Sequence, residues 1–212
     1  MTTFQTPAPI AVTVEVLSAT VNVIASDRTD TVVQVQPADP AKKGDVRAAA
    51  QTQVDFAGGV LTVKTPKDWR TYTAFGGNPT IDVTIEVPAG SRLSGTSGCG
   101  NLYANGELGE IRVETSMGDI VLDRPLGSVT AKTAKGNIRI GAATRGDIRL
   151  ETSMGDLEVG IRPGSAVTVH SNTMQGAVQN QLGPVADGNG DNVDVYARTS
   201  MGNIVVRHAV AA

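Results

Sequence analysis

The chain has 212 residues, of which 40% are hydrophobic and 18% charged, and its formal net charge is −3. This composition belongs to a folded globular chain and excludes disordered, collagen-like and helix-spanned membrane classes, while the small, scattered charge gives no sign of a polyanion partner. One cysteine forms no internal disulfide, and two histidines supply no rich metal site.

The N-terminal stretch Met1–Thr6 has neither a basic n-region nor an apolar h-region, so the expected location is cytoplasmic. The chain carries 24 Gly but only 3 Phe, 3 Tyr and 1 Trp. An interior built from Val, Ile and Thr and punctuated by glycine reads as many short strands joined by tight turns. Ile10–Val16, Thr20–Ile24, Thr31–Gln36, Thr52–Phe56, Val60–Lys64 and Ile81–Val87 alternate or run apolar at strand length. Lys42–Ala50, following Pro40, is the one stretch with helical character. Residues 1–90 are expected to form a β-sheet cap continuous with the repeats that follow, because an open coil end exposes unpaired backbone.

From residue 100 onward, glycine recurs at 100, 109, 118, 127, 136, 146, 155 and 164, in steps of 9 with a single step of 10. Each unit then alternates apolar and polar residues, as in Gly109-Glu110-Ile111-Arg112-Val113-Glu114-Thr115. Every second unit is more alike: Thr115-Ser116-Met117-Gly118-Asp119-Ile120 recurs as Thr152-Ser153-Met154-Gly155-Asp156-Leu157 and as Thr199-Ser200-Met201-Gly202-Asn203-Ile204. The period is therefore about 18 residues, two strands and two turns. The fold class expected is all-β, a parallel β-solenoid of about six two-stranded coils with the N-terminal β-sheet cap, its glycines turning with positive φ. The repeats occupy 91–208 with an inserted loop at 182–192, and 209–212 form a tail.

Stacking at this period predicts an inward column of Leu102, Ile120, Ile138, Leu157, Val178 and Ile204, faced by Ile111, Val129, Ile148 and Val167. Outward, Glu114, Lys132, Glu151 and His170 form a column of mostly alternating charge. Asn101, Asp119, Asn137, Asp156, Ala177 and Asn203 form a second, amide-rich one. Met117, Met154, Met174 and Met201 fall at corresponding corners and are expected to fill the core.

Glu86-Val87-Pro88-Ala89-Gly90-Ser91-Arg92-Leu93, followed by the Thr-Ser-Met-Gly-Asp-Ile segments, resembles the bacterial putative-adhesin domain family, a domain-of-unknown-function family, from about Ile10 to Val206. The resemblance implies a β-solenoid and a prokaryotic source and brings no catalytic motif.

No acid–base or nucleophile constellation is visible, so the chain is read as a non-enzyme without cofactors. His170 and His208 read as surface residues, and Cys99 lacks a basic neighbour to activate it. Asp187, Asn189 and Asp191 match the first oxygen positions of an EF-hand loop. Asn192 and Arg198 stand where Gly and a bidentate Glu belong, so the segment reads as a turn and no metal is assigned. A calcium-binding, β-roll-like module remains the second alternative. The segment Pro66–Pro79 holds Lys67, Trp69, Arg70, Tyr72 and Phe75, an aromatic and basic cluster of the kind that forms binding hot spots, or else folds back over the cap. The function expected is a structural or interaction protein that binds a protein partner through this loop or a solenoid face, with no nucleic acid and no membrane span. The first alternative is self-assembly through the C-terminal coil, since Ile204-Val205-Val206 ends the repeats without an obvious polar cap.

Overall fold

A computed structural model describes residues 1–66, 79–182 and 191–209. In chain order the elements are β1 (Thr2–Gln5), β2 (Ala11–Ser26), β3 (Asp30–Pro37), α1 (Lys43–Gln51), β4 (Gln53–Ala57), β5 (Val60–Lys64), β6 (Ile81–Pro88), β7 (Arg92–Cys99) and β8 (Leu102–Leu108). They continue with β9 (Ile111–Met117), β10 (Ile120–Pro125), β11 (Val129–Lys135), β12 (Ile138–Ala143), β13 (Gly146–Met154), β14 (Leu157–Ile161), β15 (Ala166–Gln175), β16 (Val178–Gln181), β17 (Asn192–Met201) and β18 (Ile204–His208). The helix falls where Lys42–Ala50 predicts it. The two strands expected over residues 10–24 are one continuous strand, β2, whose first half pairs in one sheet and second half in the other.

Each coil contributes one strand to a front sheet and the next to a back sheet. The front sheet runs β4, β5, the first half of β2, β7, β9, β11, β13, β17, β15. The back sheet runs β1, β3, β6, the second half of β2, β8, β10, β12, β14, β18, β16. Pairing is parallel from β5 and β6 onward, and antiparallel where β1, β3 and β4 join.

The 18-residue register is borne out: Ile120 pairs with Ile138 on one side and Leu102 on the other. Leu102, Ile120, Ile138, Leu157 and Ile204 stack inward on the back sheet, and Leu93, Ile111, Val129, Ile148 and Val195 on the front, all buried. Burial of such side chains stabilises by about 1.5–3 kcal/mol each, and the columns form one continuous core.

Coil order departs from chain order at the end. The last coil in sequence, β17–β18, lies between β13–β14 and β15–β16. The reason is polarity. Its inward residues Val193, Val195, Ala197, Ile204 and Val206 are buried, whereas β15 and β16 offer Ser171 and Asn180 at equivalent places. The apolar coil takes the inside and the polar one the end. Three expectations change with it. The front column continues to Val195 and Val169, not Val167. The charge column runs Glu114, Lys132, Glu151, Arg198, Asn172, with His170 displaced to its neighbour. The apolar Ile204-Val205-Val206 segment is covered by β16, so the open end belongs to β15 and β16.

The repeated Thr-Ser-Met-Gly-Asp/Asn signature is explained by the front-to-back corner. Gly136 has φ 150°, and a Cβ there would lie 2.1 Å from the Gly118 carbonyl oxygen of the adjacent coil. That carbonyl accepts a hydrogen bond from the Thr133 hydroxyl at 3.2 Å, and Thr152 and Thr199 repeat the contact to Gly136 and Gly155 at 3.1 Å. The Asn or Asp after each glycine bonds the next coil: Asn101 Oδ1 accepts from the Asp119 N–H at 3.0 Å, Asp119 from Asn137 at 2.7 Å and Asn137 from Asp156 at 2.8 Å. The methionines point out. Met117, Met154 and Met201 are about half exposed and Met174 is 82% exposed, correcting their expected core role. At the Met117, Met154 and Met201 corners the inward position belongs to the buried Thr two residues earlier, while Met174 lies one place out of register, with Gln175 beside Met201. Gly127, on the other corner, has no positive φ, and an added Cβ there would find its nearest neighbour at 3.5 Å. The nine-residue clock therefore mixes glycines that the backbone or a close neighbour requires with Gly127, which has room for a side chain.

Near the N-terminal edge Arg28 ties β3 to β6. Its Nε donates to Asp30 Oδ1 at 2.8 Å and its Nη1 to Glu86. The Arg28 hydrogen bond holds the Asp30 carboxyl below its usual range, and the Asp30 bond in turn raises Arg28.

Two outcomes test these contacts. Gly136→Ala is expected to lose more than about 3 kcal/mol in denaturant unfolding, and Gly127→Ala less than about 1 kcal/mol; equal losses would refute the two-class assignment. Because the Asp30 pKa is lowered on folding, its contribution is present at neutral pH and lost as the pH falls below about 4. The melting-temperature gap between wild type and Arg28→Ala should therefore be widest near neutrality and narrow in acid.

Candidate functional site

The outer surface of the front sheet carries side chains from alternate positions of β9, β11, β13, β17 and β15. One row reads Arg112, Thr130, Arg149, Tyr196, His170, and the row two residues along reads Glu114, Lys132, Glu151, Arg198, Asn172. Parallel in-register pairing fixes both rows, since equivalent outward positions lie one above another.

Tyr196 is sandwiched. The His170 ring stacks on it with centroids 4.9 Å apart and planes 14° from parallel, and Arg149 Cζ lies 5.1 Å from its centroid. Stacked rings and a cation over a tyrosine face hold one another in place at a cost of little side-chain entropy. Beside them Lys132 Nζ meets Glu151 at 3.1 Å, Arg112 meets Glu110 at 3.2 Å and Arg149 meets Asp147 at 3.6 Å. Arg198 has no ion pair among the described residues, although Glu151 is beside it in register. An open depression of about 740 Å³ is lined by Arg112, Lys132, Arg149, Arg198 and Glu151 together with the stack. Three of its four cations are held in ion pairs, with Glu110, Glu151 and Asp147, so Arg198 is the cation left to an anionic occupant.

The arrangement is suited to binding. His170 makes its contact with a phenol ring, and among the described residues it forms no hydrogen bond with Ser171 or Thr130, the hydroxyls that line the depression with it. Cys99 sits in register with Ser18 and Met117, away from the depression, and His208 ends β18 with Nδ1 unbonded among the described residues. Among the described residues no three of His, Cys, Asp and Glu converge as a metal site. Asp191 precedes β17, and its carbonyl accepts from the Ala166 N–H at 2.9 Å. Asp187 and Asn189, the other weak calcium candidates, lie outside the described residues, as do Lys67, Trp69, Arg70, Tyr72 and Phe75.

Only part of the front-face cluster follows from the sequence. Arg112, Thr130 and Arg149 align at steps of 18 and 19 and were accessible from periodicity alone. Tyr196 and Arg198 join them only because β17 is inserted beside β13.

A family model matches residues 10–160, well over half of the chain, and its description is Toastrack DUF4097. The chain belongs to the Toastrack DUF4097 family. This agrees with the resemblance carried by Glu86–Leu93 and the Thr-Ser-Met-Gly-Asp repeats. The Toastrack architecture here is a stack of parallel coils, as the periodicity predicts. No curated protein matches the chain significantly. Among solved structures, a "putative cell adhesion protein" from Clostridium sporogenes is similar at 9% identity and TM-score 0.55, covering 98% of each chain. A "putative adhesin" from Bacteroides fragilis is similar at 11% identity and TM-score 0.49, covering 97% of this chain and 95% of its own. At these identities the likeness concerns the fold.

Proposed function

We propose that this Toastrack chain is a non-enzymatic binding module that docks an acidic segment of a protein partner on the outer face of its front sheet. The observation that carries this reading is Arg198, which stands beside the Arg149–Tyr196–His170 stack without an ion-pair partner among the described residues. A rigid sheet presents these groups at fixed spacing, so little ordering is required when an extended acidic strand lies across the rows. The description of the Clostridium sporogenes neighbour as a cell adhesion protein is of the same kind. The segment with Lys67, Trp69, Arg70, Tyr72 and Phe75 is the second candidate surface, on composition alone.

Fluorescence anisotropy with a labelled poly-glutamate peptide tests the reading. Wild type is expected to bind, with affinity falling as salt rises. Arg149→Ser with Arg198→Ser should weaken binding by about tenfold or more. Retained affinity in this double variant, with loss in the Trp69→Ala, Tyr72→Ala, Phe75→Ala triple variant, would move the site to that segment and overturn the front-face assignment.

A further inference from the structure

The two ends of the stack are chemically unlike. At the N-terminal end, the outermost strands β1 and β4 bring Phe4 and Phe56 together with ring centroids 5.3 Å apart, joining the two sheets. At the other end the outermost strands are β15 and β16, each with a neighbour on one side only among the described residues. Every residue of β16 is exposed, as are Thr168, His170, Asn172 and Gln175 on β15. From Ala166 to Gln181 the sequence contains no Asp, Glu, Lys or Arg. The coils inside this one do carry charge on their strands, for example Asp194, Arg198 and Arg207 on β17–β18 and Lys132 and Arg139 on β11–β12. Proteins ordinarily blunt a free sheet edge with lysine, proline or a bulge. This ten-residue edge strand has none of the first two.

We propose that this end is a homodimer interface: β15 of one copy pairs antiparallel with β15 of a second, and β16 with β16, about a twofold axis that crosses both sheets. Three features select a second copy as the occupant. An uncharged edge meets itself without like-charge repulsion. Its exposed side chains include Asn172, Gln175, Gln179, Asn180 and Gln181, and an amide, being both donor and acceptor, is complementary to another amide. Finally, the end offers two edge strands at a separation set by the coil. A lone strand satisfies one of them, and the surface that presents both at that separation is the same end of another molecule. Antiparallel pairing about a twofold axis is closed, so the product is a dimer. It extends the front sheet without a break, bringing the two depressions to either side of the joint, with His170 of each copy on the edge strand. The inference does not depend on what the depression binds.

Sedimentation velocity of the full chain from about 1 µM to about 1 mM tests it. Wild type is expected to pass from monomer to dimer with no larger species. Thr168→Lys with Asn172→Lys places four ammonium groups along the paired edges and should raise the dimer dissociation constant about tenfold or more. Val46→Lys, an added charge on the exposed side of α1, should leave it unchanged. Hydrogen exchange of the wild type provides a readout that needs no variant: β15 amides should become protected as concentration rises. A monomer throughout, growth beyond the dimer, a double-lysine variant that dimerises like wild type, or β15 amides that stay unprotected in the dimer would each overturn the proposal.

Discussion

Neighbouring coils are held by parallel ladders of backbone hydrogen bonds, and at the spacing these set the chain can pass from the front sheet to the back only at a glycine whose Cα faces the carbonyl of the glycine in the adjacent coil. A Cβ at Gly118, Gly136, Gly155, Gly176 or Gly202 would stand 2.0–2.1 Å from that oxygen. Nothing larger than hydrogen fits. The buried threonine hydroxyl satisfies the crowded carbonyl, and the Asn or Asp that follows reaches across to the next backbone N–H. Three residue positions in each repeat, the Thr, the Gly and the Asn or Asp, thus serve one corner, while the inward Ile, Leu and Val columns supply the bulk of the burial.

The carboxamide and carboxylate steps alternate along that corner: Asn101, Asp119, Asn137, Asp156, Asn203. No two carboxylates are stacked directly. Each aspartate therefore accepts its backbone hydrogen bond with a neutral neighbour above and below, which avoids the like-charge repulsion of adjacent rungs. The ladder stops at Ala177, whose N–H donates to Asn203 Oδ1 at 3.0 Å but whose methyl offers nothing onward. The absence of a side-chain acceptor there coincides with the outermost coil.

Most of this was legible before any coordinates. Glycine spacing, strand alternation and the Thr-Ser-Met-Gly-Asp recurrence locate the coils and their register, because each follows from contacts repeated rung after rung. Two features were hidden for definite reasons. Methionine at the corner reads as an apolar filler, yet the threonine before it takes the inward place. Coil order is a nonlocal matter, decided by whether Ser171 and Asn180 or Ala197 and Val206 occupy the interior, and a linear period treats both coils alike. The front-face cluster inherits that blindness: Arg149 and Tyr196 are 47 positions apart in the chain and adjacent in the sheet. Sequence pattern indicates which residues face outward, but the inserted strand decides which of them become neighbours.

The same insertion imposes an order on synthesis. A chain emerging from the ribosome completes Ala166–Gln181 before Asn192–His208 exists, so the place beside β13 and β14 stands vacant when the wrong coil arrives. That coil has its own Thr173 and Gly176 corner, which in the finished fold rests on Gly202. Native order is reached only once the later, more apolar coil holds the place beside β13 and β14, and until then unpaired strand edges are open to neighbouring nascent chains.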